Sequence, residues 1–446
     1  MAIEKEIIDT SEYLMKKLLS AGADDVVLSA FTSFGQHTKF ANNLVVKTGT
    51  EEVSSISIFS VWKGRIVETA LKEFTKASAD EIVRKAAAFA KHLPENENYA
   101  GIADGPFKYK SLPYDPKIAA LGDIHADVVE SAVDSALNLG AKRVSGVLET
   151  YDWKSTLLTS HSVNANENGS SVYFSLRVFA EKDASGHKVA CSRRLGDVSF
   201  EKTAKSAAEI ALDAINPVPG PVGKFDLVFE PLPFADLLER MGSAASAFDV
   251  DAGLSFFQDK MGKKIGNDAV TLVDDGTMPY GYHSTPFDAE GVPTRRTSII
   301  EKGKLVTYLH NTSTAKRYKT ETTGNAGLIS PHHWNLVLES GKHSRDELFK
   351  EVKNGIYITN IWYTRFQNYV TGDFSTIPRD GIFMIKNGRL EHPVRGIRIS
   401  SNMLDILKGI EVVGKESENI HSWEVGSSVI TPPVLVKNVN ITKPTS

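Results

Sequence analysis

Apolar residues recur at Ile3, Ile7, Leu14 and Leu18 while Lys and Glu fill the other positions, and this spacing predicts an amphipathic opening helix that stops at Gly22. Short β-type runs follow at 26–30, 44–46, 53–61 and 66–67, with Trp62-Lys63-Gly64-Arg65 as a hairpin turn between the last two. A helix over 79–93 would present Ile82, Ala86, Phe89 and Leu93 on one face. A longer one over 124–139 would present Val128, Val129, Ala132, Val133 and Ala136. Strand-like runs near Val144 and Leu157, over 172–179 and near Val189 lead to a last helix over 200–215.

The pattern then breaks. Residues 217–223 hold Pro217, Pro219, Pro221, Gly220 and Gly223, a density that neither a helix nor a central strand tolerates. Beyond it the period is mostly that of strands. A strand over 225–229 and a helix over 234–247 are followed by hairpins around Lys302-Gly303 and Asn387-Gly388. Short helices over 345–352 and 402–407 interrupt runs at 336–338, 356–361 and 434–441. The expected fold class is α+β in two domains. These are an N-terminal α/β sandwich-like domain over 1–216, a Pro/Gly linker over 217–223, and a mostly antiparallel β, barrel-like domain over 224–446.

Composition narrows the function classes. The 446 residues carry 51 Lys+Arg against 55 Asp+Glu, a net charge of −4, which argues against a nucleic-acid binder. The polar start, Met1 to Glu6, has no apolar signal core, and no run approaches the length of a membrane span, so a cytoplasmic location is expected. One cysteine, Cys191, can make neither an internal disulfide nor a thiolate cage, and it reads as a small packed hydrophobe in a strand.

The standard chemical motifs are missing from the sequence. There is no phosphate-binding G-x-x-x-x-G-K-[ST], no G-x-G-x-x-G after a strand and no G-x-S-x-G. No two of the twelve histidines are four residues apart, and H-E-x-x-H is absent. His332-His333 would point to opposite faces of a strand, and a surface loop is their expected home. Asp274, Asp275, His283, Asp288 and Glu290 form the densest polar cluster, with loop chemistry as its first reading and a hard cation as its second. The loop from Thr322 to Gly327 has the small polar residues of a turn or of a peptide-contacting nest.

The order of motifs resembles the TldD/PmbA family of peptidase-related proteins, also known as modulators of DNA gyrase. The residues that carry the likeness include the 164–169 turn, Ser192-Arg193-Arg194, Phe229-Glu230-Pro231, Ser255-Phe256-Phe257 and Asp274-Asp275-Gly276. The most specific stretch runs from Phe287 to Arg296, followed by Tyr308 to Thr312, Thr323-Gly324-Asn325 and Thr371 to Ser375. The resemblance implies two branches. The TldD-like branch is a zinc metallopeptidase with H-E-x-x-x-H on an early helix of the C-terminal domain and a late cysteine ligand. The PmbA-like (TldE) branch lacks them and pairs with the first.

This chain resembles the PmbA side. The matching helix holds Leu238-Glu239-Arg240 and no histidine, and Val413 stands at the expected cysteine. No catalytic residue and no metal ligand is therefore assigned, and no cofactor is expected in this chain; zinc is expected in a TldD-like partner. Asp288, Glu290, Thr323 and Asn325 are the peptide-binding candidates. The expected partners are a TldD-like paralogous subunit or a second copy, and unstructured peptides. Nucleic acid and membrane are not expected. The alternative is an autonomous metal-dependent peptidase using Asp274, Asp275, His283, Asp288 and Glu290; a DNA-gyrase-related modulator is a weaker one.

Overall fold

The computed structural model describes residues 5–444. Ile3 of the opening helix and the polar start Met1 to Glu4 lie outside the described residues. The first layer is a six-stranded antiparallel sheet in the order β3-β2-β1-β4-β5-β6. It is built from β1 (Asp25–Ala41), β2 (Leu44–Trp62), β3 (Arg65–Leu71), β4 (Arg143–Thr159), β5 (Asn164–Glu181) and β6 (Ala184–Ser192). The helices α1 (Lys5–Ser20), α2 (Lys76–Ala90), α3 (Lys117–Ala120), α4 (His125–Leu137) and α5 (Phe200–Asp213) accompany it. Leu14 and Leu18 of α1 and Val83 and Ala86 of α2 bury against Val26, Leu28, Ile56 and Ile58 of the sheet.

These strands are much longer than their apolar runs. Residues 44–46 and 53–61 belong to one strand, and Val144 and Leu157 to another. A ladder needs only backbone hydrogen bonds, so the exposed polar stretch from Lys47 to Glu52 stays extended without apolar alternation. Asn42 and Asn43 take positive φ, 50° and 71°, and close the long hairpin. The 164–169 stretch is likewise strand rather than turn: Asn164 pairs with Leu158 and Gly169 with Trp153, which moves the turn to 160–163.

The second half opens at the Pro/Gly segment. Val218–Pro219 forms a two-residue edge strand, β7, against the 389–395 strand, a position that needs no amide donor from Pro219. Next come β8 (Gly223–Phe229), α6 (Pro231–Ala244), α7 (Ala247–Asp251), β9 (Leu272–Asp275), β10 (Arg296–Glu301), β11 (Lys304–Leu305), α8 (Thr312–Tyr318) and β12 (Asn335–Leu338). The rest is α9 (Arg345–Lys350), β13 (Asn354–Asn368), β14 (Asp373–Lys386), β15 (Arg389–Arg395), β16 (Arg398–Asn402), α10 (Met403–Gly409), β17 (Ile410–Val413), β18 (Glu418–Ile420), β19 (Ser428–Thr431) and β20 (Val434–Thr442). One sheet runs β11-β10-β9-β12-β19-β18. The other runs β13-β8-β20-β16-β14-β15-β7, and β14 also pairs with β13, so it curls on itself without forming a closed barrel. Both Gly-containing turns expected from sequence are present, with Asn387 and Gly388 at φ 48° and 79° and Lys302 and Gly303 at 45° and 74°.

One apolar core joins the halves. Ala204, Ala207, Ala208 and Ala211 give α5 a small-residue face packed close to Gly186 of β6, where an added Cβ would lie 2.1 Å from the Ala207 carbonyl oxygen. The same cluster includes Val129 and Val133 of α4, Phe174 of β5, Val228 of β8, Tyr357 of β13 and Leu435 of β20. This packing fixes how the first sheet faces α6, and it creates the cleft described next.

Candidate functional site

Helix α6 begins with Pro231 at its first position, where a missing N–H costs nothing, and it buries nearly all of its first turns. Glu239 and Ser243 lie four residues apart and share a face. That face meets the first sheet across a cleft of about 920 Å³. Phe31 of β1, Glu51 and Val53 of β2, and Tyr151 and Trp153 of β4 form one wall. The opposite wall comes from Tyr282 to Thr285, His332 to Trp334, His421, Gly426 and Ser427.

Both oxygens of the Glu239 carboxylate accept a backbone hydrogen bond, from the N–H groups of Gly426 and Ser427 at 3.0 Å each. His333 Nε2 lies 2.9 Å from the Ser427 hydroxyl, and His421 Nδ1–H donates to the Ser427 carbonyl at 3.0 Å. Gly242 lets the helix approach: a Cβ there would stand 2.3 Å from Leu336 Cδ1 and 3.0 Å from His333 Nδ1. Tyr282 stacks on His421 with ring centroids 4.8 Å apart, and His283 lies 5.4 Å from both rings. Burial pushes His283 down to about 4 and His333 to about 3 and lowers His421, and desolvation by the surrounding wall lowers the more exposed His332. The four imidazoles are therefore neutral near pH 7.

Arg193 braces the wall of the cleft from behind. Its side chain is 1% exposed and reaches Glu167 at 3.2 Å, the Asn168 carbonyl at 3.4 Å and the Ser284 carbonyl. The guanidinium sits over the Trp153 ring at 4.8 Å. Gly169 provides the space, since a Cβ there would lie 2.2 Å from Arg193 Nη2.

The sequence candidates lie behind the wall, outside the cleft's own lining. Asp288 is 1% exposed and accepts from the N–H groups of Glu290 at 3.0 Å, Val292 at 2.9 Å and Ala326 at 2.9 Å. Glu290, also 1% exposed, accepts from the Thr312 hydroxyl and N–H. Asn325 donates to Asp274 at 2.6 Å and to the His332 carbonyl at 2.9 Å. Thr323 accepts from the His310 N–H at 2.8 Å. Asp274 also accepts from the Trp334 N–H at 2.7 Å, so this network positions the wall residues His332 and Trp334. Asp275 caps its own turn through Thr277. Of the polar cluster only His283 reaches the cleft, and among the described residues no group of three His, Cys, Asp or Glu could hold a metal ion. His333 is buried and only His332 is exposed, because the loop before β12 turns one imidazole onto α6. Cys191 is packed in β6, and burial raises its thiol to about 12.

The buried carboxylates give a pH prediction. Burial raises Asp274 to about 7 and also raises Asp288 and Glu290, the latter further through the neighbouring Asp288 charge. A raised carboxylate favours the folded state while protonated, and that stability is lost as pH rises through the folded value. The lowered histidines act oppositely: their stability is present above their ordinary value of 6.5 and is lost as pH falls toward 4. Urea midpoints are expected to peak near pH 6.5 and to fall toward pH 8.5. A flat or rising profile above pH 6.5 would show that the three carboxylates are ionised without cost.

The comparisons with known proteins cover most of the chain. Residues 222–443 match the PmbA/TldA metallopeptidase C-terminal domain, and residues 107–215 match the PmbA/TldA metallopeptidase central domain. The chain belongs to the PmbA/TldD family. A metalloprotease of Methanocaldococcus jannaschii is 34% identical over 244 residues, 51% of this chain and 53% of that protein. The metalloprotease PmbA of Escherichia coli O157:H7 is 31% identical over 176 residues, 40% of this chain and 38% of that protein. The matched region spans about half the length of such curated relatives. A solved Thermotoga maritima protein, described as a candidate modulator of a DNA gyrase, superposes with a TM-score of 0.84 at 25% identity, covering 98% of this chain and 100% of that one. TldE of Thermococcus kodakarensis shares the fold, with a TM-score of 0.85 at 22% identity over 97% and 100% of the two chains. Within this fold, the cleft lies where α6 presents Glu239 and Ser243.

The chain's own motifs partly signalled this site, since 164–169 and 192–194 both contribute to it. Phe31, Tyr151, Tyr282 and His421 had no sequence signal. They meet only because β1, β4 and the 421–427 loop converge on α6.

Proposed function

We propose that this chain is a PmbA/TldE-like subunit of a TldD/PmbA-type peptidase system, a partner that binds extended peptides in the cleft and leaves hydrolysis to a TldD-like subunit. The observation that carries this reading is Glu239. On the helix where the family motif is expected, Leu238 and Ser243 flank a carboxylate whose two oxygens are taken by backbone N–H groups. A catalytic zinc needs about three protein ligands and an open position, and these residues do not fit that set. Val413, at the expected cysteine, is a buried apolar side chain. Zinc belongs to the partner on this reading.

Asp288, Glu290, Thr323 and Asn325 serve peptide binding indirectly, by holding the loops that carry the wall. The division into 1–216 and 224–446 and a cytoplasmic location go with the same reading; no helix among the described residues is long and apolar enough to cross a membrane. The test is metal content and chelator-sensitive cleavage of an unstructured peptide, by this chain alone and mixed with a TldD-like paralogue. The expected result is an inert, metal-free chain that takes part in cleavage only in the mixture. Stoichiometric zinc with chelator-sensitive activity in the chain alone would support the autonomous peptidase instead.

A further inference from the structure

The chemistry of the cleft lining is one-sided. Its charged side chains are Glu51, Glu167 and Glu239, and among the described residues neither Lys nor Arg lines it. Arg193 neutralises Glu167 from behind the wall, and it is 1% exposed. Glu51 is exposed at the rim with no ion-pair partner among the described residues. The remaining walls are rich in aromatic rings, including Phe31 and Tyr151, whose faces attract cations. The four imidazoles add no positive charge near pH 7.

The rim also has a free backbone edge. Strand β3 pairs with β2 only from Ile56 to Trp62, while β1 pairs with β2 on its other side throughout. The two-residue turn at Lys63-Gly64 makes Trp62 and Arg65 the closing hydrogen-bonded pair. Even-numbered β2 residues therefore direct their N–H and C=O toward the β3 side. At Thr48, Thr50, Glu52 and Ser54 those groups meet no strand among the described residues. The side chains of Glu51 and Val53 alternate with them and turn into the cleft.

We infer that the cleft selects extended peptide segments rich in Lys or Arg and aromatic residues, and rejects acidic ones, by adding the peptide as a strand along β2 from Thr48 to Ser54. This rests on the peptide-binding reading above and names its substrate class. The free edge supplies affinity without sequence preference. Glu51 and the ring faces favour a cation, while an acidic side chain would meet like charge in a partly desolvated trough.

The test uses two dye-labelled unstructured peptides of about ten residues, one alternating Lys and Phe and one alternating Glu and Phe, titrated by fluorescence anisotropy. At ~0.05 M salt the Lys peptide is expected to bind at least about tenfold more tightly, and the gap should shrink at ~0.5 M. Glu51→Lys, on an exposed strand position, is expected to remove most of that preference with an unchanged circular dichroism spectrum. Equal binding of both peptides, or an unaltered preference in the variant, overturns the charge selection and leaves the peptide-binding reading standing. Binding of neither peptide overturns both.

Discussion

Arg193→Met is expected to lower the unfolding free energy by about 3–5 kcal/mol, because it breaks a buried ion pair by removing one partner. Glu167, whose side chain is 11% exposed, would remain in the wall without its counter-charge. The Ser284 and Asn168 carbonyls would lose their donors. Burial already raises the Glu167 carboxyl despite Arg193, so in the variant it would take up a proton more readily still. Chemical denaturation at pH 7 measures the loss. The double variant Arg193→Met with Glu167→Leu should recover part of it, since a well-packed apolar pair avoids the desolvation cost. A single variant within about 0.5 kcal/mol of the parent would show that the pair contributes nothing.

Glu230→Leu is the second large effect, again about 3–5 kcal/mol. Glu230 stands where β8 hands over to α6. It accepts from Lys188 Nζ at 3.1 Å, from Arg345 at 3.3 Å and from the Tyr357 hydroxyl. Lys188 belongs to β6 of the first sheet, so one carboxylate ties both halves at the foot of the site helix. Its removal leaves the Lys188 ammonium, 11% exposed, with only the half-exposed Glu418 at 3.2 Å. The charge also sits at the positive end of α6. Burial opposes its ionisation, but Lys188, Arg345 and the Tyr357 hydrogen bond outweigh it and hold the carboxyl below its ordinary value of 4.5. A depressed carboxylate contributes stability above the unfolded value and loses it as pH falls through the folded one. The difference between parent and variant is therefore expected to be full at pH 7 and to shrink below about pH 4. A pH-independent difference would assign the effect to packing alone.

Much of the architecture was legible in the chain because local chemistry decides it. Gly-containing two-residue turns at 63–64, 302–303 and 387–388 need positive φ, and the structure supplies it at each. The helix expected over 200–215 is present as α5, and its four buried alanines form the face that packs on the sheet. Strand length was not legible. Lys47 to Glu52 carries no apolar alternation, yet it lies in the middle of β2 because β1 holds its backbone. Asp288, Glu290 and Asn325 lie in loops, as the polar Gly-containing pattern suggests, whereas Asp274 and Asp275 end strand β9. Their distance from the cleft followed from burial, which no local pattern reports: Asp288 and Asn325 spend their hydrogen bonds on Ala326, Asp274 and His332.

By itself, the sequence determined the family, the two-part α+β pattern and the identity of the residues on the helix where metal ligands were expected. Those are properties of residue type and order. The tertiary structure alone decided that Glu239 accepts from Gly426 and Ser427, 187 and 188 positions away, and that four histidines with no useful spacing share one wall. It also decided which side of β2 stays without a strand. The physical reason is common to all three: a carboxylate, an imidazole or a backbone edge acquires its role from the groups that surround it. Those groups arrive from distant parts of the chain only when the sheets pack through the shared core.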